Sequence, residues 1–189
     1  MKIVPLIVLL FSFQAYSQTR KIDSIVQQKK LELKISPIAL LDSENFIAGF
    51  EYFKNKDISF GVLANFNLNN NNFDNYYSEN VMVDYQISPF IRYSLSKKQT
   101  SFFYIESYLN ANGGKYRTLE RLNDEFGNGY YTETTKKYND LGIGFGGGYK
   151  FYIKNTIGVD FNFGWSRNLF NDASINVIPK GNILFSYRF

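Results

Sequence analysis

The sequence contains neither cysteine nor histidine. Without cysteine there are no disulfides, no thiolate metal sites and no lipid-modified cysteine anchor. Without histidine the commonest metal ligand and the usual acid–base relay are missing. No cofactor is expected from the residues that remain. Proline occurs only four times and tryptophan once in 189 residues. Outside the first 17 residues no apolar run approaches the roughly 20 residues that a membrane-spanning helix needs. The net charge is +4 and dispersed, and no basic run interleaved with aromatics points to nucleic acid.

Aromatic residues are abundant, with 19 Phe and 15 Tyr. They fall in an alternating pattern that is clearest over residues 141–165. One set there is Leu141, Ile143, Phe145, Gly147, Tyr149, Phe151 and Ile153, then Ile157, Val159, Phe161, Phe163 and Trp165. The other set begins with Gly142, Gly144, Gly146 and Gly148, and goes on through Lys150, Gly158, Asp160 and Gly164. Period two is the strand signal, and Lys154-Asn155-Thr156 makes the pair a hairpin. Either the glycines make room for larger residues opposite or they leave a gap.

The N-terminus reads as an export signal over residues 1–17. Lys2 is its basic start, residues 3–13 its apolar segment and Ala15-Tyr16-Ser17 its cleavage site, before Gln18. Residues 18–30 form a polar lead-in, and residues 31–189 carry eight alternating segments. Pro37 and Pro89 each suggest a bulge or break in a strand. Tight connections at 54–57, 95–100 and 154–156 alternate with longer ones at 69–80, 113–137 and 167–177. The arms of the 113–137 connection continue the fifth and sixth strands as a protruding hairpin.

This predicts an all-β chain, an eight-stranded antiparallel up-and-down barrel. Three considerations turn its apolar face outward, to lipid. An eight-stranded interior is just wide enough for its own side chains, and the aromatic set would overfill it. The apolar face carries no Asp, Glu, Lys or Arg, as lipid contact requires, since each basic residue at midplane costs about 2–4 kcal/mol. Aromatics gather near strand ends in the manner of interfacial girdles: Tyr52 and Phe53, Tyr93, Phe102 and Phe103, Phe151 and Tyr152, Tyr187 and Phe189. The lumenal set then contains Glu32, Lys34, Glu51, Asp84, Arg92, Glu106, Lys150, Asp160 and Arg188. With both signs present in so narrow a barrel, a salt-bridge network that plugs the lumen is expected rather than an ion path. The basic turns at Lys54, Lys56, Lys97, Lys98 and Lys154 suit anionic phospholipid headgroups.

With its signal, its eight segments and its terminal Ile183-x-Phe185-x-Tyr187-x-Phe189, the chain resembles the small outer-membrane barrels of the OmpX and OmpA-transmembrane class. Residues 35–52 are also similar to the start of a family of small outer-membrane barrels of unknown function. The resemblance implies an outer-membrane location, both termini in the periplasm, and Phe185, Tyr187 and Phe189 as the signal read by the barrel-assembly machinery. Outer-membrane lipid and lipopolysaccharide are the expected surroundings, and the protein is expected to be a monomer.

The function expected is a non-enzymatic surface barrel, for surface interaction or envelope integrity. Tyr116, Arg117, Arg121, Tyr130, Tyr131 and Lys136 on the hairpin are candidate contacts to an extracellular protein or other surface ligand. The alternative is a narrow pore or a lateral conduit for small solutes. A lipid-modifying membrane enzyme fits less well. Small barrels that deacylate lipids use a catalytic histidine, and a serine without a base is a weak nucleophile.

Overall fold

The computed structural model describes residues 29–42, 44–68, 81–96, 98, 100–123, 129–170 and 175–189. The export signal, most of the lead-in and the 69–80 loop therefore lie outside the described residues. Eight strands follow one another: β1 (Leu31–Ile35), β2 (Asn45–Phe53), β3 (Ile58–Asn67), β4 (Val81–Ser94), β5 (Ser101–Asn123), β6 (Gly129–Ile153), β7 (Ile157–Asn168) and β8 (Val177–Arg188). Each pairs antiparallel with its neighbours in sequence, and β1 pairs with β8 to close an up-and-down barrel. The start of β1 and the last residue meet at one rim, where Leu31 and Phe189 exchange backbone hydrogen bonds of 3.1 and 2.9 Å. That rim is the terminal end, and the opposite rim is the far end.

The tight turns all lie at the terminal end. Lys154 and Asn155 both take positive φ (52° and 59°), and the Thr156 N–H donates to Ile153 O. This is the turn that matches the right-handed twist of a two-strand ribbon. At 54–57 the Asn55 side chain accepts from the backbone of Asp57 and Ile58. Asparagine suits such a turn because its short side chain replaces a backbone acceptor.

The alternation of each strand becomes an inside and an outside. Phe103, Phe145, Phe163, Trp165 and Tyr187 lie exposed on the outer face. Glu32, Lys34, Glu51, Lys150, Asp160 and Arg188 are almost completely buried within. The barrel thus inverts the usual distribution of a water-soluble domain.

Two sequence expectations need correction, and a third is met in part. Pro37 is not a bulge; it opens a short helix, α1 (Pro37–Asp42). The Ser36 side chain accepts from the Ala39 N–H. A serine cap followed by proline at the first helical position is a favourable start, because proline lacks an N–H that would be orphaned there. β4 carries its bulge at Asp84, while at Pro89 it shows the expected break rather than a bulge. Its pairing with β5 lapses at Ser88 and Pro89 but resumes in the same register. Finally, Phe53 and Phe102 turn into the lumen, and Tyr152 packs against them. The girdle at the terminal end rests on their outward neighbours, including Tyr52 and Phe103.

β5 and β6 extend well past the other strands. Their pairing runs unbroken to Asn123↔Gly129, whereas β4 begins opposite Tyr116 and β7 ends opposite Gly142. Beyond Tyr116 the hairpin stands without a flanking strand among the described residues.

Candidate functional site: the lumen

The terminal half of the lumen is filled by ions. Lys34 Nζ lies 2.5 Å from Glu51 and 2.8 Å from Asp160. Lys150 Nζ lies 2.6 Å from Glu51 and 3.0 Å from Glu32. Arg92 reaches Asp160 at 2.7 Å, Glu106 at 2.8 Å and Glu51 at 3.2 Å. Lys180 completes the set at 2.6 Å from Glu106. Strand pairing explains the proximity: Arg92 sits opposite Glu106, and Lys150 opposite Asp160.

Neutral donors satisfy the remaining carboxylate oxygens. Ser59 donates to Glu51, Tyr152 to Glu32, and the Tyr104 hydroxyl to Asp160 at 2.5 Å. With Ser59 from β3, all eight strands contribute to this layer. Four cations face four carboxylates, so the cluster is balanced. Nearer the terminal rim, Arg188 lies over the Phe53 ring at 3.8 Å and donates to Lys29 O. Among the described residues no group of carboxylates is arranged to hold a metal.

β6 explains how large side chains fit. A Cβ on Gly144 would lie 2.3 Å from the Tyr108 ring, and one on Gly148 would lie 2.4 Å from the Tyr104 hydroxyl. The lumenal face of β6 is bare from Gly142 to Gly148, so side chains of β5 cross it to reach β7. Asn110 donates to Ser166, and Asn112 to Asn168. Tyr104 bonds Asp160 and accepts from Asn162. The glycines therefore make room for the residues of β5.

Above the ions an apolar layer of Ile47, Leu63, Phe90, Tyr108 and Leu184 crosses the barrel. Above that layer, toward the far end, lies a cavity of ≈ 290 Å³. Its polar lining is neutral apart from Lys180 and includes Asn45, Asn65, Gln86, Ser88 and Asn110. The buried Asn65 Oδ1 accepts no hydrogen bond among the described residues.

Eight of the nine expected lumenal charges point inward, and seven of them form the ion layer together with Lys180. Arg188 forms no ion pair among the described residues, and Asp84 sits on the β4 bulge, also outside the ion pairs. Lys180 was missed, although it shares the alternation of Asn182, Ser186 and Arg188. Phe185, Tyr187 and Phe189 lie exposed on the outer wall, the last two with ring centroids 6.3 Å apart. The six hairpin residues divide between its faces. Tyr116, Tyr130 and Lys136 share one, Arg117, Arg121 and Tyr131 the other. Lys136 is held by Glu120.

The architecture is that of the small eight-stranded outer-membrane barrels. The chain is similar to the N-terminal β-barrel domain of Pseudomonas aeruginosa OprF, with a TM-score of 0.54 at 10% identity over 85% of this chain and 96% of that one. Ail, the attachment invasion locus protein of Yersinia pestis, gives a TM-score of 0.47 at 15% identity, covering 85% and 94% of the two chains. Neisserial surface protein A gives 0.46 at 14%, with the same coverage. No protein-family model matches the sequence, and no curated protein matches it.

Proposed function

We propose that this chain is a monomeric bacterial outer-membrane barrel that neither conducts ions nor catalyses a reaction, and that carries the β5–β6 hairpin on the cell surface. The observation that carries this reading is the inverted polarity of the wall: ions fill the inside while Phe, Tyr, Leu and Ile cover the outside. Lipid is the surrounding that suits such an exterior, and the pairing of β1 with β8 closes the wall along the terminal half of the barrel. In this reading the signal is cut before Gln18, the tight-turn rim lies in the periplasm with both termini, and the hairpin points outward. Phe185, Tyr187 and Phe189 then present the assembly signal to the barrel-assembly machinery.

The ion layer argues against a through-pore. Opening a path would separate charges that are each neutralised at 2.5 to 3.8 Å, and a buried charge stripped of its partner is costly. The hydroxyls of Ser59, Tyr104 and Tyr152 are engaged by carboxylates already held by cations, which argues against a nucleophile. The hairpin supplies exposed Tyr130, Tyr131, Arg117 and Arg121 for contact with lipopolysaccharide or an extracellular protein.

Cell fractionation with heat-modifiable gel mobility tests the location. The protein should partition with outer membranes and migrate faster unheated than boiled; a soluble periplasmic protein contradicts the reading. In planar bilayers the refolded chain should give no discrete conductance steps. Hydrolysis of phospholipid by the same preparation would overturn the non-enzymatic reading.

A further inference from the structure

Among the described residues the barrel wall is incomplete beside the cavity. β1 pairs with β8 only from Glu32↔Arg188 to Ile35↔Phe185. Farther along, β8 keeps β7 on one side, through Trp165↔Pro179 and Arg167↔Val177. On its other side no strand follows among the described residues, because the chain has turned into α1. The Ser36 hydroxyl donates to Ile183 O across the break. By the alternation of an antiparallel strand, Gly181 also directs its backbone groups to that side.

The cavity reaches this break. Its lining includes outward-facing Pro179 and Gly181 beside inward-facing Lys180 and Asn182, with Ala39 of α1. A Cβ on Gly181 would meet nothing within 4 Å. The surroundings on the outer face are apolar. Gly181 is paired with Phe163 and Pro179 with Trp165, and α1 exposes Leu41 at 85%. An opening that is apolar outside and amide-lined inside suits a molecule with an apolar chain and a polar head. The head must be uncharged. The one cation in the lining, Lys180, is already neutralised by Glu106 at 2.6 Å, and an unpaired ion would lose its hydration for neutral amides. At ≈ 290 Å³ the cavity lies near the lower end of ligand pockets, room for a head and a short length of chain.

We propose that the break between β8 and α1 is a lateral entrance through which an uncharged amphiphile with hydroxyl or amide groups enters from the membrane, its head donating to Asn65 Oδ1 and its chain passing Gly181. The inference rests on the outer-membrane reading.

The test uses the full chain in nanodiscs of palmitoyl-oleoyl-phosphatidylcholine, with 1-decanoylglycerol as probe. Heat-modifiable mobility is checked first, so failure to insert counts against the membrane reading alone. In inserted protein, the side-chain amide signals of Asn65 and Asn110 should shift saturably, with nuclear Overhauser effects from the probe to Ile47 and Leu63. Gly181→Phe fills open space, so it should fold while weakening binding at least about tenfold. Asn65→Leu should weaken binding by about two- to tenfold, the effect of one lost hydrogen bond. Glycerol without a chain should produce no saturable shift at matched concentration. No shift with 1-decanoylglycerol overturns the proposal. So does equal binding by Gly181→Phe, or equal binding of glycerol, which would place entry at the open mouth.

Discussion

Arg92, like Lys34 and Lys150, ties three carboxylates of the lumen together. Its guanidinium lies 4.2 Å from the centre of the Tyr104 ring. Arg92→Met keeps much of the volume but leaves Glu51, Glu106 and Asp160 short of positive charge. We expect a loss of about 3–5 kcal/mol in urea unfolding of the refolded barrel, the usual cost of breaking a buried ion pair from one side. Gly144→Ala should cost about 1–3 kcal/mol by overpacking against Tyr108. In a double-mutant cycle, Tyr108→Leu should recover most of that loss by removing the ring; additive losses would contradict the packing account. These residues were unequally legible in the sequence. Alternation alone assigned Arg92, Lys150 and Asp160 to the inside. Tyr104 and Tyr108 were also legible as fillers of the space beside the glycines of β6, but which glycine each ring covers depends on the β5–β6 register, which neither strand encodes by itself.

Among the elements, α1 best illustrates what period two conceals. The run Pro37-Ile38-Ala39-Leu40-Leu41 is apolar throughout, and six residues are too few to display a helical period. The informative signal was Ser36-Pro37, a cap and a first-turn proline, which reads equally well as a broken strand. Ser36 caps α1 and bonds Ile183 O across the wall. Ser36→Ala should therefore cost about 0.5–2 kcal/mol and speed amide exchange at Ala39; unchanged exchange would contradict the cap. The hairpin was legible because its arms are long, and they pair as far as Asn123↔Gly129. Its Lys136–Glu120 pair holds the Glu120 carboxyl below its ordinary 4.5 and raises Lys136 above its ordinary 10.5. The pair's contribution is thus present above the usual glutamate range and lost as pH falls through the lowered value of Glu120. At the basic end it is lost only above the raised value of Lys136. An NMR titration should place the Glu120 midpoint below 4.5 in the intact chain and nearer 4.5 in Lys136→Gln.

At the scale of the whole molecule, strand number, order and closure followed from eight alternating segments joined by connections of alternating length. Sequence could not foresee that the lumen divides into an ion-filled half near the termini and an open half near the far end. The charged side chains of the strands meet in the first half, and small neutral residues such as Asn65, Ser88 and Asn110 line the second. The central claim is that the aromatic face meets lipid. Trp165 tests it most directly, as the only tryptophan in the chain and 60% exposed on the outer wall. The refolded protein is placed in vesicles of dibrominated phosphatidylcholine, and its fluorescence is compared with that in unbrominated vesicles and after adding iodide. The account predicts strong quenching by the brominated chains and little by aqueous iodide. Quenching by iodide with no response to the brominated lipid would contradict it.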